Sequence, residues 1–175
     1  MTTIQSELKA TIRDIPDFPK PGILFKDITP VLSNARLMQG IVDYFAERFA
    51  ESGVTAVVGM ESRGFIFGAP LALKLGCAFV PARKPGKLPY ESVGVDYALE
   101  YGTARLEMHT DAVGPDDRVL VVDDLLATGG TAAATNALIR RLGATIVGNC
   151  FVIELDFLSG RDALEGETVE SLVHF

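Results

Sequence analysis

Residues 119–131, Val-Leu-Val-Val-Asp-Asp-Leu-Leu-Ala-Thr-Gly-Gly-Thr, constrain this chain more than any other stretch. Residues 119–122 are four consecutive branched apolar side chains, the pattern of a strand buried on both faces inside a parallel sheet. Asp123 and Asp124 stand at its C-terminal end, a loop of small residues follows, and residues 130–142 read as a helix. In open α/β sheets, ligands bind beyond the carboxyl ends of the strands. Backbone N–H groups of a glycine-rich loop that opens a helix form an anion site. Gly129 and Gly130 let the backbone approach a phosphate closely, and Ala127, Thr128 and Thr131 complete the loop, the threonines adding hydroxyl donors. Neighbouring aspartates can accept hydrogen bonds from two adjacent hydroxyls, as a ribose presents. Together these features describe a cradle for ribose 5-phosphate. A strand-to-helix corner often carries Asp and Gly for turn chemistry alone, but the whole combination is far more specific. It is not a P-loop, which needs a Lys before the final Ser or Thr, and there is no G-x-G-x-x-G dinucleotide fingerprint.

The remaining chain should supply strands and helices around this unit. Residues 5–13 read as a short helix. Residues 17–30 hold Pro19, Pro21, Gly22 and Pro30 and should be irregular. Leu37, Ile41, Phe45 and Phe49 recur at intervals of four within residues 35–51, one face of a helix. Residues 56–60 read as a buried strand, residues 65–75 as a helix, residues 77–82 as a strand and residues 83–89 as a basic loop. Residues 92–108 alternate apolar and polar side chains about Tyr101-Gly102, which predicts a two-stranded excursion. Residues 145–155 form a long apolar strand and residues 170–173 a short one. Strands alternating with helices predict a mostly parallel α/β sheet in one domain, residues 1–175. The 92–108 excursion is placed where a lid would sit.

Composition excludes several classes. The net charge of −7 argues against a nucleic-acid partner, whose phosphates need a positive field. No apolar run is long enough to span a bilayer. The N-terminus lacks the basic and apolar regions of a secretory signal, so a reducing cytoplasm is expected. Cys77 and Cys150 are too far apart for a metal motif and read as buried core thiols. His109 and His174 read as surface residues, and residues 156–161 as a polar segment without an assigned purpose.

The residues 119–131 resemble the phosphoribosyl-diphosphate (PRPP) motif of the type I phosphoribosyltransferases. Residues 18–30, F-P-K-P-G-I-L-F-K-D-I-T-P, resemble the base-binding segment of the adenine-specific branch of that family. Taken by itself this segment reads as a hydrophobic plug over the sheet; the resemblance favours a flap for a planar base. Glu61-Ser62-Arg63-Gly64-Phe65, Arg83-Lys84-Pro85-Gly86-Lys87-Leu88-Pro89 and Tyr97-Ala98-Leu99-Glu100-Tyr101-Gly102 are similar to further family segments. The match runs from about residue 14 to 157, and Lys26 departs from it, since Arg is more usual there.

The resemblance implies a type I phosphoribosyltransferase fold: a central, mostly parallel sheet flanked by helices, a small N-terminal hood over about residues 1–34 and a flexible lid over about residues 83–108. It implies transfer of the 5-phosphoribosyl group from PRPP to adenine, giving AMP and diphosphate. Asp123, Asp124 and residues 127–131 would bind the ribose 5-phosphate, and Arg63, Lys84 and Lys87 the diphosphate. Leu24 and Lys26 would bind adenine through backbone atoms, Phe25 would stack on it, and Glu100 would carry the N7 proton. Mg²⁺ is expected mainly on PRPP and diphosphate, with no protein ligand, and the family implies a homodimer. The alternatives are transfer to hypoxanthine or xanthine, or a non-catalytic PRPP-sensing regulator.

Overall fold

The computed structural model describes residues 3–98 and 103–175, with the side chain of residue 98 not described. In chain order the elements are α1 (Ile4–Thr11), β1 (Arg13–Pro16), β2 (Leu24–Asp27), α2 (Thr29–Leu32), α3 (Ala35–Arg48), β3 (Ala56–Met60), α4 (Gly64–Leu75) and β4 (Ala78–Ala82). They continue with β5 (Ser92–Ala98), β6 (Thr103–His109), β7 (Arg118–Leu126), α5 (Gly130–Arg141), β8 (Thr145–Glu154) and β9 (Val169–His174); two 3₁₀ turns, Asp156–Leu158 and Gly160–Leu164, separate the last two strands.

Five strands form a sheet in the order β4-β3-β7-β8-β9, and every pairing in it is parallel. β3 is buried at all five positions and β7 at most of nine, because helices cover both faces. The alternation of β7 divides the core. Leu120 and Val122 pack with α1 to α4, including Leu37, Ile41, Phe45 and Phe49 of the periodic face. Val119 and Val121 pack with Leu138 and Ile139 of α5 and Leu106 and Met108 of β6. Helix ends follow local chemistry. Asn34 caps α3 by accepting from the N–H groups of Arg36 and Leu37 at 3.1 and 3.2 Å. Gly76, at φ 70°, closes α4 in the left-handed region that glycine adopts without a Cβ clash.

Three expectations need correction. Leu24–Asp27, expected to be irregular, is a strand paired antiparallel with β1, Phe25 opposite Ile15. Its N–H and C=O groups find partners on β1, which outweighs the flanking prolines. Asp123 and Asp124 are not the last residues of the strand: β7 runs on to Leu126 because β8 is long enough to pair Asp123 with Phe151 and Leu125 with Ile153. The excursion is confirmed as the antiparallel pair β5–β6. Cys150 is buried, but Cys77 is only half-buried, at the end of α4 where coverage by neighbouring elements is thinner.

Candidate active site

The C-terminal end of β7 runs into a left-handed turn at Gly129, φ 81°, and then α5. A Cβ at Gly129 would stand 2.3 Å from the Gly160 carbonyl oxygen, so the backbone here admits no side chain. No side chain caps α5, and its first turn carries no acidic residue. The N–H groups of that turn and the positive end of the helix dipole are therefore available to an anion. A cavity of about 80 Å³ lies within this loop, lined by Asp123, Ala127, Thr128, Gly129, Gly130 and Thr131. The five loop residues singled out from the sequence thus surround one small polar space, together with the first aspartate.

The two aspartates have different neighbours. Asp124 is buried and its Oδ2 accepts from Arg63 Nε, the residue just before α4. Asp123 Oδ1 accepts from the Asp124 N–H at 2.9 Å. Burial, and then the charge of Asp124, push the Asp123 carboxyl well above its ordinary range. Burial works to lower the Arg63 guanidinium, but Asp124 overcomes it and holds the group above its usual value. α4 approaches β7 so closely that a Cβ at Gly64 would meet the Val122 carbonyl oxygen at 2.6 Å. That proximity puts Arg63 within reach of Asp124. The Glu61–Ser62 peptide in this loop is cis.

The two basic loops are joined by Glu61. Its carboxylate accepts from the Lys84 N–H at 2.9 Å and from Arg83 Nε at 3.3 Å. Burial raises Glu61, yet the hydrogen bonds from Lys84 and Arg83 prevail and leave it below its ordinary value. Arg83 also donates to the Lys87 carbonyl at 3.2 Å, and its backbone exchanges hydrogen bonds with Glu107 of β6 at 2.9 and 2.7 Å. The side chains of Lys84 and Lys87 are exposed.

Around β2, Leu24 and Lys26 face a second cavity of about 460 Å³, shared with Ile23, Phe157, Leu158 and Phe175. Lys26 Nζ reaches Asp14 at 2.6 Å and lies 3.9 Å from the centroid of the Phe175 ring. Phe25 meets Phe18 edge-on at 5.1 Å between centroids. Glu100 lies outside the described residues.

The segment 156–161, unassigned from the sequence, joins the two cavities. Leu158 lines the apolar one, while Gly160 lies against the 127–131 loop, where a Cβ would be 2.2 Å from the Ala127 carbonyl oxygen. Arg161 fixes the segment by donating to both oxygens of buried Glu154 at 2.7 and 2.8 Å. The signal in the sequence was Ser159-Gly160, a turn pair whose partner lies far away in the chain. His174 is exposed as expected, but it is not isolated: its Nδ1 lies 2.8 Å from Asp156 Oδ1 and near Glu154. Among the described residues these three alone are spaced as a metal site would be. Glu154 is already engaged there by Arg161.

Comparison with known proteins bears on the same region. The phosphoribosyl transferase domain model matches residues 28–167. The chain is 58% identical to the adenine phosphoribosyltransferase of Methylococcus capsulatus over 97% of this chain and 99% of that one. It is also 58% identical to the Nitrosococcus oceani enzyme of the same name, over 96% and 98%. The crystal structure of adenine phosphoribosyltransferase from Thermoanaerobacter pseudethanolicus superposes with a TM-score of 0.94 at 50% identity, covering 98% and 99% of the two chains. The Saccharomyces cerevisiae enzyme, solved with an imino-altritol bisphosphate and adenine, gives 0.92 at 44% identity, covering 97% and 98%.

Proposed function

For a chain that belongs to the phosphoribosyltransferase family, and within it to the adenine phosphoribosyltransferases, we propose the following reaction and division of labour. The enzyme serves purine salvage: it transfers the 5-phosphoribosyl group of PRPP to adenine and releases AMP and diphosphate. The observation that carries this reading is the junction of β7 and α5, a phosphate-sized polar cavity beside two carboxylates at the end of a buried parallel strand.

Residues 127–131 hold the 5′-phosphate through backbone N–H groups and the Thr128 and Thr131 hydroxyls. Anchoring the substrate at this end fixes C1′ between base and leaving group and removes much of the entropic barrier. Asp123 and Asp124 accept hydrogen bonds from the ribose hydroxyls. As the bond from C1′ to diphosphate breaks, its electron pair leaves with the diphosphate, and positive charge grows on the ring beside these carboxylates. Arg63, Lys84 and Lys87 take up the charge of the departing diphosphate. N9 of adenine then bonds to C1′, and Glu100 accepts the proton held at N7. Leu24 and Lys26 pair with the adenine edge through a carbonyl and an N–H, while Phe25 covers the ring. Residues 1–34 form the hood over the base. Residues 83–108 form the lid that excludes water, which would otherwise capture the ring cation.

Mg²⁺ neutralises diphosphate charge when bound. It takes oxygen donors and retains water, and the cradle fits it: Asp123 and Asp124 are hard oxygen acceptors that would hold the water it carries, while oxygens of the substrate would be its ligands. The protein acts as a homodimer in the cytoplasm and without nucleic acid; no helix among the described residues is long and apolar enough to cross a membrane.

The test is turnover of PRPP and Mg²⁺ with each purine base in turn. Adenine presents an amino donor beside the N1 acceptor, whereas hypoxanthine reverses both. A site built on those two hydrogen bonds discriminates by about 10⁴-fold. Comparable kcat/KM for the two bases would overturn the assignment.

A further inference from the structure

β5 lies along α5, and the two elements touch at both ends. Near the C-terminus of α5, Arg141 Nη1 donates to the Gly94 carbonyl at 3.4 Å. At its N-terminus, the Thr131 hydroxyl donates to the Tyr97 hydroxyl at 3.3 Å. Strand alternation sets this direction: Val93, Val95 and Tyr97 of β5 pack against the core on the α5 side. Tyr97 is half-buried, so its ring is held by packing while its oxygen reaches a residue of the phosphate loop.

We infer that Tyr97 is a positioning residue for the 5′-phosphate, acting through the hydroxyl of Thr131. The inference rests on the reading of residues 127–131 as the phosphate site. A threonine hydroxyl has one proton and two lone pairs. In the structure the Thr131 hydroxyl directs that proton to Tyr97. A bound phosphate is the stronger acceptor and takes it instead. The Thr131 oxygen is then open to accept, and the Tyr97 hydroxyl, 3.3 Å away, is a donor placed to serve it. The result is a chain from Tyr97 O–H to Thr131 O–H to phosphate. Each bond in such a chain polarises the next, and the chain ends on an anion. Tyr97 therefore fixes the rotamer of Thr131 in its donating orientation and strengthens its bond to phosphate. It also ties β5 to the loop more firmly when phosphate is present.

Tyr97→Phe removes only the oxygen and keeps the ring that packs. Calorimetric titration of the enzyme with AMP and with adenine separates the two ends of the substrate. Affinity for AMP, and KM for PRPP, should worsen by about 3- to 10-fold, the worth of one hydrogen bond. Adenine affinity and Tm should stay at wild-type values. In a Thr131→Val background, Tyr97→Phe should add nothing, whereas in Thr131→Ser, which keeps the hydroxyl, its penalty should return. An unchanged AMP affinity in Tyr97→Phe, an equal loss for adenine, or a full penalty in Thr131→Val would each overturn the inference. Failure of the wild-type enzyme to bind AMP would instead overturn the phosphate site itself.

Discussion

Gly160→Ala tests the contact that sequence reading missed. The backbone of Gly160 is outside the left-handed region, so alanine meets no conformational penalty and its cost is steric. The added Cβ would sit 2.2 Å from the Ala127 carbonyl oxygen and 3.0 Å from Leu126 Cγ and Cδ1. For the carbonyl oxygen, ordinary contact begins more than 1 Å further out. Both partners are held: the Leu126 carbonyl accepts from the Leu155 N–H at 3.0 Å, and Arg161 is bound to Glu154. Relief must therefore come from moving the phosphate loop itself by about 1 Å. A displacement of that size in a substrate anchor can cost about 10²-fold in rate, and overpacking of this kind costs about 1–3 kcal/mol of stability. The assay is kcat/KM for PRPP at saturating adenine, alongside Tm. Gly114→Ala is the control, because nothing lies within 4 Å of its Cβ position, and it should leave both quantities unchanged. Wild-type kcat/KM in Gly160→Ala would refute the claim that this contact sets the loop.

Asp124→Asn should raise KM for PRPP at least about 10-fold while the fold survives, because Arg63 is about half exposed and can turn to water; unaltered use of PRPP would remove Asp124 from the ribose site. Glu100→Gln should lower kcat by about 10²- to 10⁴-fold, the usual range for acid–base catalysis, and a loss under threefold would assign the proton to another group. Asp123 is raised above its ordinary value by burial and by Asp124, so the native state keeps a proton that the unfolded chain releases near pH ~4. Stability from this group therefore falls as pH climbs from there to the native value. Urea midpoints at pH 5 and pH 8 should decline in the wild type and decline less in Asp123→Asn; parallel declines would show that Asp123 does not titrate this way.

The parts of the site carried by short-range pattern were legible in the sequence. The run at 119–131 showed its strand, loop and helix because branched apolar residues and glycines each leave a local mark. The alternation of residues 92–108 likewise gave β5 and β6. What failed depended on neighbours distant in the chain. β2 reads as irregular because four Pro and Gly residues surround it, and only β1 makes it a strand. The extension of β7 through Asp123 and Asp124 follows from the length of β8. Gly160 is needed for its proximity to Ala127, and Tyr97 reaches Thr131 only once β5 lies along α5. No window of sequence contains either pair.

The electrostatics of the site follow from the same arrangement. A chain of net charge −7 must hold a substrate with a phosphate at one end and a diphosphate at the other. The field of the whole molecule opposes this, so attraction must be local. Two of the cations at hand are already paired within the protein, Arg63 with Asp124 and Arg83 with Glu61. Under the proposed roles the attraction at the 5′-phosphate end comes instead from the uncapped N-terminus of α5, whose N–H dipoles add no net charge and whose first turn carries no acidic residue. At the diphosphate end, Arg63 must change partners under the proposed roles: ribose hydroxyls take over Asp124 as the diphosphate takes Arg63. An unpartnered buried carboxylate would cost several kcal/mol. In this exchange Asp124 accepts hydrogen bonds both before and after the substrate binds, so the polyanion enters without that penalty.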